Sequence, residues 1–172
     1  ALGLGTEKPE KDIMKRPPRS KREPLLSKRL VWKAFLWYGL MGSAVSMFSY
    51  FYVNMQNGWP QVPLVGGTDP VYIKATAMTL AAIVFSQIGA VFNCRTEKQS
   101  VFRIGLFSNK QVNVGILAEI LLIVALVYLP PLQTVFHTGP LDLADWLLLC
   151  VWPPLILLTE ETRKAWLRKR GR

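Results

Sequence analysis

At 172 residues the chain is long enough for one domain, yet 51% of it is hydrophobic and its charges stand in blocks outside the apolar runs, which excludes an ordinary water-soluble globule. A net charge of +10 would suit nucleic acid if it formed one patch, but the 21 Lys and Arg residues alternate: ten in residues 1–33, one in the first connection between apolar runs, four in the second, none in the third and six in the tail. That is the positive-inside pattern of four membrane spans with both termini and the middle connection cytoplasmic, and nucleic acid is not an expected partner.

Residues 1–30 are a basic, Pro-rich segment without apolar periodicity, expected to be extended and cytoplasmic with no core of its own. Pro17, Pro18 and Pro24 prevent a continuous helix. The flanking cations suit anionic headgroups, although a simple stop-transfer flank has the same composition. So polar a start is not a signal peptide, and without an initiator Met the opening ALGLGTEKPEKD reads like the interior of a longer frame.

Residues 31–172 are expected to form an all-α, four-helix transmembrane domain with a cytoplasmic basic tail. The spans fall at about 31–53, 75–93, 112–129 and 143–159, each near the roughly 20 residues needed to cross about 30 Å of hydrocarbon. In the first span Gly39, Ser43, Ser46 and Tyr50 share a ridge with Gly42 beside it, a pattern for close helix packing or for lining a solute path. Trp32, Trp37 and Trp59 are placed as interface anchors. The connection that follows is built of turn residues and should lack regular structure, ending at Asp69-Pro70, an N-cap followed by proline at the first helical position.

The second span carries Thr76, Thr79, Ser86, Ala90 and Asn93 on one helical face, with Gln87 on its flank. The opposite face is apolar, so the polar stripe is expected to meet protein and the apolar face lipid. Cys94 and Cys150 would lie at different depths, which argues against a disulfide. In the next connection Val101, Phe102, Ile104, Leu106 and Phe107 cluster among basic residues and either enter the headgroup region or pack on a neighbouring domain.

Glu119 is the only carboxylate well inside an apolar run. Its central placement costs roughly 2.5 to 3.5 kcal/mol on insertion scales, so it should be neutral, paired or beside a water-filled cavity. It serves either an ion or proton site or a protonated hydrogen bond to another helix. His137, the single histidine, has no partner ligands near it in sequence and reads as an exposed loop residue. Asp142 and Asp145 are placed to cap the fourth helix, where Pro153 and Pro154 should produce a kink; Glu160, Glu161, Arg163 and Lys164 then close the span. No phosphate loop, nucleophile triad or Cys/His metal cluster is legible.

The strings LGTEKPEKDIMKRPPRSKREPLL, GSAVSMFSYFYV, ATAMTLAAIVFSQIGAVFNCRTEKQSVFRIGLFSN, VYLPPLQTVFHTGPLDLADW and EETRKAW together resemble the C-terminal region of type II P-type cation-transporting ATPases, the group of calcium and sodium-potassium pumps. The resemblance covers essentially the whole chain. It implies the seventh to tenth helices of a ten-helix bundle, whose partners are the remaining helices and the cytoplasmic domains. It also implies ATP and Mg as cofactors of the parent pump, none in this fragment, and calcium or sodium as the transported cation. Gln87 matches an eighth-helix position that is a carboxylate in reticulum-type calcium pumps and Gln in sodium-potassium pumps. Ala90 stands where sodium-potassium pumps carry Asp. Glu119 matches a ninth-helix Glu tied to their extra sodium site, while Ala118 replaces a second acidic residue. Gln87 and Glu119 are thus the candidate cation ligands, and the isolated chain is not expected to hydrolyse ATP. The host membrane implied is a prokaryotic plasma membrane. An independent four-helix scaffold or assembly factor, and a small oligomeric cation channel, are the competing readings.

Overall fold

A computed structural model of the chain describes residues 2–6, 28–96 and 99–170; the MKRPPR string and its prolines lie outside them. Residues Leu2–Thr6 form a 3-10 helix. Then follow α1 (Lys28–Trp32), a π-wound stretch (Lys33–Gly39), α2 (Leu40–Gln56), α3 (Pro70–Cys94), α4 (Val101–Ile104), α5 (Lys110–Tyr128), α6 (Pro130–Phe136) and α7 (Leu143–Lys169). No strand occurs among the described residues. Helices α3, α5 and α7 are each long and apolar enough to cross a membrane. The span expected at residues 31–53 lies in one helical run, in which α1 and α2 are joined through the π-wound stretch.

Local chemistry sets the helix ends. The Asp69 carboxylate accepts the Val71 amide at 2.8 Å, with Pro70 at the first helical position, so α3 starts where the sequence places it. The Asn109 side chain accepts the amides of Gln111 and Val112 at the start of α5. At α7 the Asp145 carboxylate reaches back to the Asp142 amide at 2.9 Å. Helix α7 then runs through Pro153 and Pro154 without a break. Part of the last connection is itself helical: Pro130 and Pro131 open α6, and exposed His137 ends it in the left-handed conformation (φ 52°).

Helix α3 is the centre of the bundle. In its apolar stretch 56% is buried, against 17% for α5 and 28% for α7, because α3 packs along both α2 and α7 and also touches α5. Its Ala75, Ala77, Met78, Ala81, Ala82 and Phe85 form the core with Val53 of α2, Ile123 and Val127 of α5, and Leu149 and Ile156 of α7. The alanines matter because lipid is as apolar as leucine, so helices associate through close van der Waals contact. This corrects the expectation that α3 turns its apolar face to lipid, since much of that face is covered by neighbouring helices. Gln87, on the flank of the polar stripe, is exposed instead.

The first described residues also depart from an extended chain. Gly3 lies against the start of α5, its carbonyl accepting the Asn109 side-chain amide at 3.1 Å. An added Cβ there would come within 3.0 Å of the Val112 backbone nitrogen.

Candidate functional site

Two clefts flank α3. The larger, about 550 Å³, lies between α2 and α3 and is walled by Gly39, Gly42, Ser43 and Ser46 on one side and Ser86 and Gln87 on the other. Its origin is visible in the residues: a Cβ on Gly42 would meet only the Ser86 hydroxyl, at 3.8 Å. The serine hydroxyls turn onto their own helices. Ser46 donates to the Gly42 carbonyl at 2.7 Å and Ser86 to the Ile83 carbonyl at 2.7 Å. Thr76 and Thr79 do the same along the stripe. Such back-bonding satisfies a hydroxyl without a second helix. The Gln87 amide has no such partner among the described residues and stands exposed on the cleft wall.

The smaller cleft, about 50 Å³, holds Glu119 with Val91, Gly115, Ile116 and Gly3. Glu119 is exposed there. Gln87 and Glu119 therefore sit in separate clefts within this chain. No group of three or more His, Cys, Asp or Glu residues suited to a metal ion occurs among the described residues.

At one end of the α3–α7 pair is a polar network that sequence reading missed. Lys164 is 1% exposed. Its ammonium donates to Thr96 Oγ1 at 2.8 Å, and to the Asn93 carbonyl and Glu161 Oε1 at 3.3 Å each. Glu161 also accepts the Val101 amide at 3.1 Å, and Asn93 donates to the Ile156 carbonyl at 3.0 Å. Arg95 reaches the carbonyls of Gly105 and Leu106 and the Ser108 hydroxyl at 2.6 Å. The α3–α5 connection is thus held from within, with Val101 and Leu106 packed against Ile88, Phe92 and Leu157. Phe102 and Phe107 remain exposed. Next to this network, Glu160 is held by Arg163 at 2.6 and 2.7 Å and by Lys33 at 3.0 Å.

The other end of the pair is closed by Lys74, which meets Asp142 at 2.7 Å and Asp145 at 3.0 Å. Nearby, the Tyr128 hydroxyl donates to the Leu141 carbonyl at 2.7 Å and accepts from Trp146 Nε1 at 2.8 Å. In sequence, TEETRK reads only as charges closing a span. The available signal was that two acidic and two basic residues follow an apolar run without a turn residue, so that some must fall on the buried face of a continuing helix.

An all-α membrane domain with both ends of its central helix pair fastened by ion pairs is thereby defined. The family model described as "Cation transporting ATPase, C-terminus" matches residues 1–166, and the chain belongs to that family. It is 30% identical over 171 residues to Calcium-transporting ATPase 1 of Schizosaccharomyces pombe, covering 99% of this chain and 18% of that protein. A calcium-transporting ATPase of Bacillus subtilis is 33% identical over 150 residues, covering 86% of this chain and 15% of the relative. The sodium/potassium-transporting ATPase subunit alpha-4 of Rattus norvegicus is 29% identical over 195 residues, covering 99% and 19%. The chain thus spans less than a fifth of the length of these relatives. It is the C-terminal membrane domain of a P-type cation ATPase; the scaffold and channel readings are not favoured.

Proposed function

We propose that this domain supports the helical bundle of an ATP-driven calcium pump and contributes to its ion path through Gln87 and Glu119. One observation carries the reading: Gln87 presents an amide with no hydrogen-bond partner among the described residues on the wall of a cleft made wide by small residues. An amide oxygen is a competent ligand for a hard cation, though it brings no charge. The groove is suited to further helices of the parent protein, which would complete the coordination. ATP and Mg act at its cytoplasmic domains. The distribution of Lys and Arg supports an orientation with both termini cytoplasmic.

In the full-length protein, Gln87→Ala is expected to raise the calcium concentration for half-maximal ATP hydrolysis roughly fivefold, the equivalent of about 1 kcal/mol. Glu119→Gln is expected to shift the same curve. Unchanged ion dependence of hydrolysis and phosphorylation in both variants would show that these residues are structural.

A further inference from the structure

The connection between α3 and α5 turns two aromatic rings outward from a backbone that is fastened on its inner side. In each of the pairs Val101-Phe102 and Leu106-Phe107 the first residue packs into the cluster with Ile88, Phe92 and Leu157. The second stands outside it, Phe102 53% and Phe107 75% exposed. The fastening runs along the whole segment: Glu161 accepts the Val101 amide at 3.1 Å, Arg95 holds the Gly105 and Leu106 carbonyls, and the Phe107 carbonyl accepts the Asn113 side-chain amide at 2.9 Å. The rings are therefore presented by a fixed frame.

The depth of that frame decides what the rings meet. Helix α5 has 19 residues, about 28 Å at about 1.5 Å per residue, which is only just enough to cross roughly 30 Å of hydrocarbon. Its first turn, residues 110–113, must then stand at the hydrocarbon edge, and Phe107 is tied to that turn through Asn113. A second contact sets the same level: the Phe107 ring meets Phe92, in the last turn of α3, edge-to-face at 6.1 Å between centroids. The outward surface continues along α5, where Leu117 and Leu121, in one i, i+4 row with Asn113, are 56% and 60% exposed. Beside the rings stand Arg103 and Lys110, both exposed and neither in an ion pair among the described residues. Residues 99–110 contain no carboxylate to neutralise them. Exposed aromatic rings flanked by unneutralised cations at the edge of the hydrocarbon are matched by an anionic lipid surface, which takes up the rings below its headgroups and attracts each cation. We infer that the α3–α5 connection is an interfacial anchor, in which Phe102 and Phe107 enter the leaflet at that end of the bundle and Arg103 and Lys110 bind anionic headgroups. The anchor requires only the membrane location of the domain and is independent of the ion-path reading.

The test places the photoreactive residue p-benzoylphenylalanine at Phe102 or at Phe107 of the full-length protein, in nanodiscs of mixed phosphatidylcholine and phosphatidylglycerol, and identifies the products by mass spectrometry. Phospholipid adducts are expected at both positions, with phosphatidylglycerol enriched roughly fivefold over its share of the bilayer. Arg103→Gln combined with Lys110→Gln should return the adducts to that share, and both positions are exposed, so the fold does not depend on them. If one probe position does not give a monodisperse protein, the other decides. An adduct to polypeptide shows that a protein surface covers the rings and overturns the anchor. Reduction of the ketone without an adduct, the outcome in water, overturns it equally. Phosphatidylglycerol at its bulk share in the parent, or an enrichment unchanged in the double variant, overturns the assignment of Arg103 and Lys110 to anionic headgroups.

Discussion

The two long faces of α3 use small residues in opposite ways. Towards α7, Gly89 lets backbones touch: an added Cβ would lie 2.9 Å from the Pro153 carbonyl oxygen, 3.0 Å from Ile156 Cβ and 3.1 Å from Pro153 Cα. Towards α2, Gly42 faces Ser86 across ordinary van der Waals distance, and the missing side chains open a cleft of about 550 Å³. A small residue on a membrane helix therefore signals either closure or room. What separates the two is whether the facing helix offers rigid backbone at the contact or a short side chain.

The strongest challenge to the closed face is Lys164→Ala. It removes the ammonium that ties Asn93, Thr96 and Glu161 together and leaves a mostly buried carboxylate with the Val101 amide. A loss of about 3 kcal/mol is expected, read as a fall in the thermal unfolding midpoint of the full-length protein in detergent. Retained stability in that assay would mean that the network is solvated in the intact molecule.

The glycine pair tests the contrast directly. Gly89→Ala forces backbone atoms of α3 and α7 apart and should cost about 1–3 kcal/mol in the same measurement. Gly42→Ala meets only a serine hydroxyl and should stay within about 0.5 kcal/mol of the parent. Equal effects would remove the distinction between the faces. A change between those two is expected from Asn93→Ala, which deletes the single amide bond from α3 to the Ile156 carbonyl. A loss of about 0.6 kcal/mol is the usual size for an interhelical bond in a membrane protein, measured by the same unfolding shift.

Much of this architecture was legible in the residues. The apolar run lengths place the spans, and Asp69-Pro70 and Asp142 with Asp145 mark helix starts through chemistry that acts within one turn. The resemblance strings placed Gln87 and Glu119 as candidates, and the structure leaves both exposed while assigning them to different clefts. The partners of Lys164 were not legible: Asn93 and Thr96 lie 71 and 68 residues away along the chain. Nor was the helical start of the last connection, which Pro130 and Pro131 open, proline being tolerated in a first helical turn.

Helical periodicity records which side chains share a face, and by itself the sequence determined the apolar runs, the capped helix starts at Asp69 and Asp142, and the stripe on α3. It did not determine what covers each face. In water an apolar face must find protein, but in a membrane lipid covers it equally well, so pattern alone cannot separate a buried face from a lipid-facing one. Only the tertiary structure decided that Gly89 meets Pro153, that Gly42 leaves a cleft, and that Gln87 stands exposed at its wall.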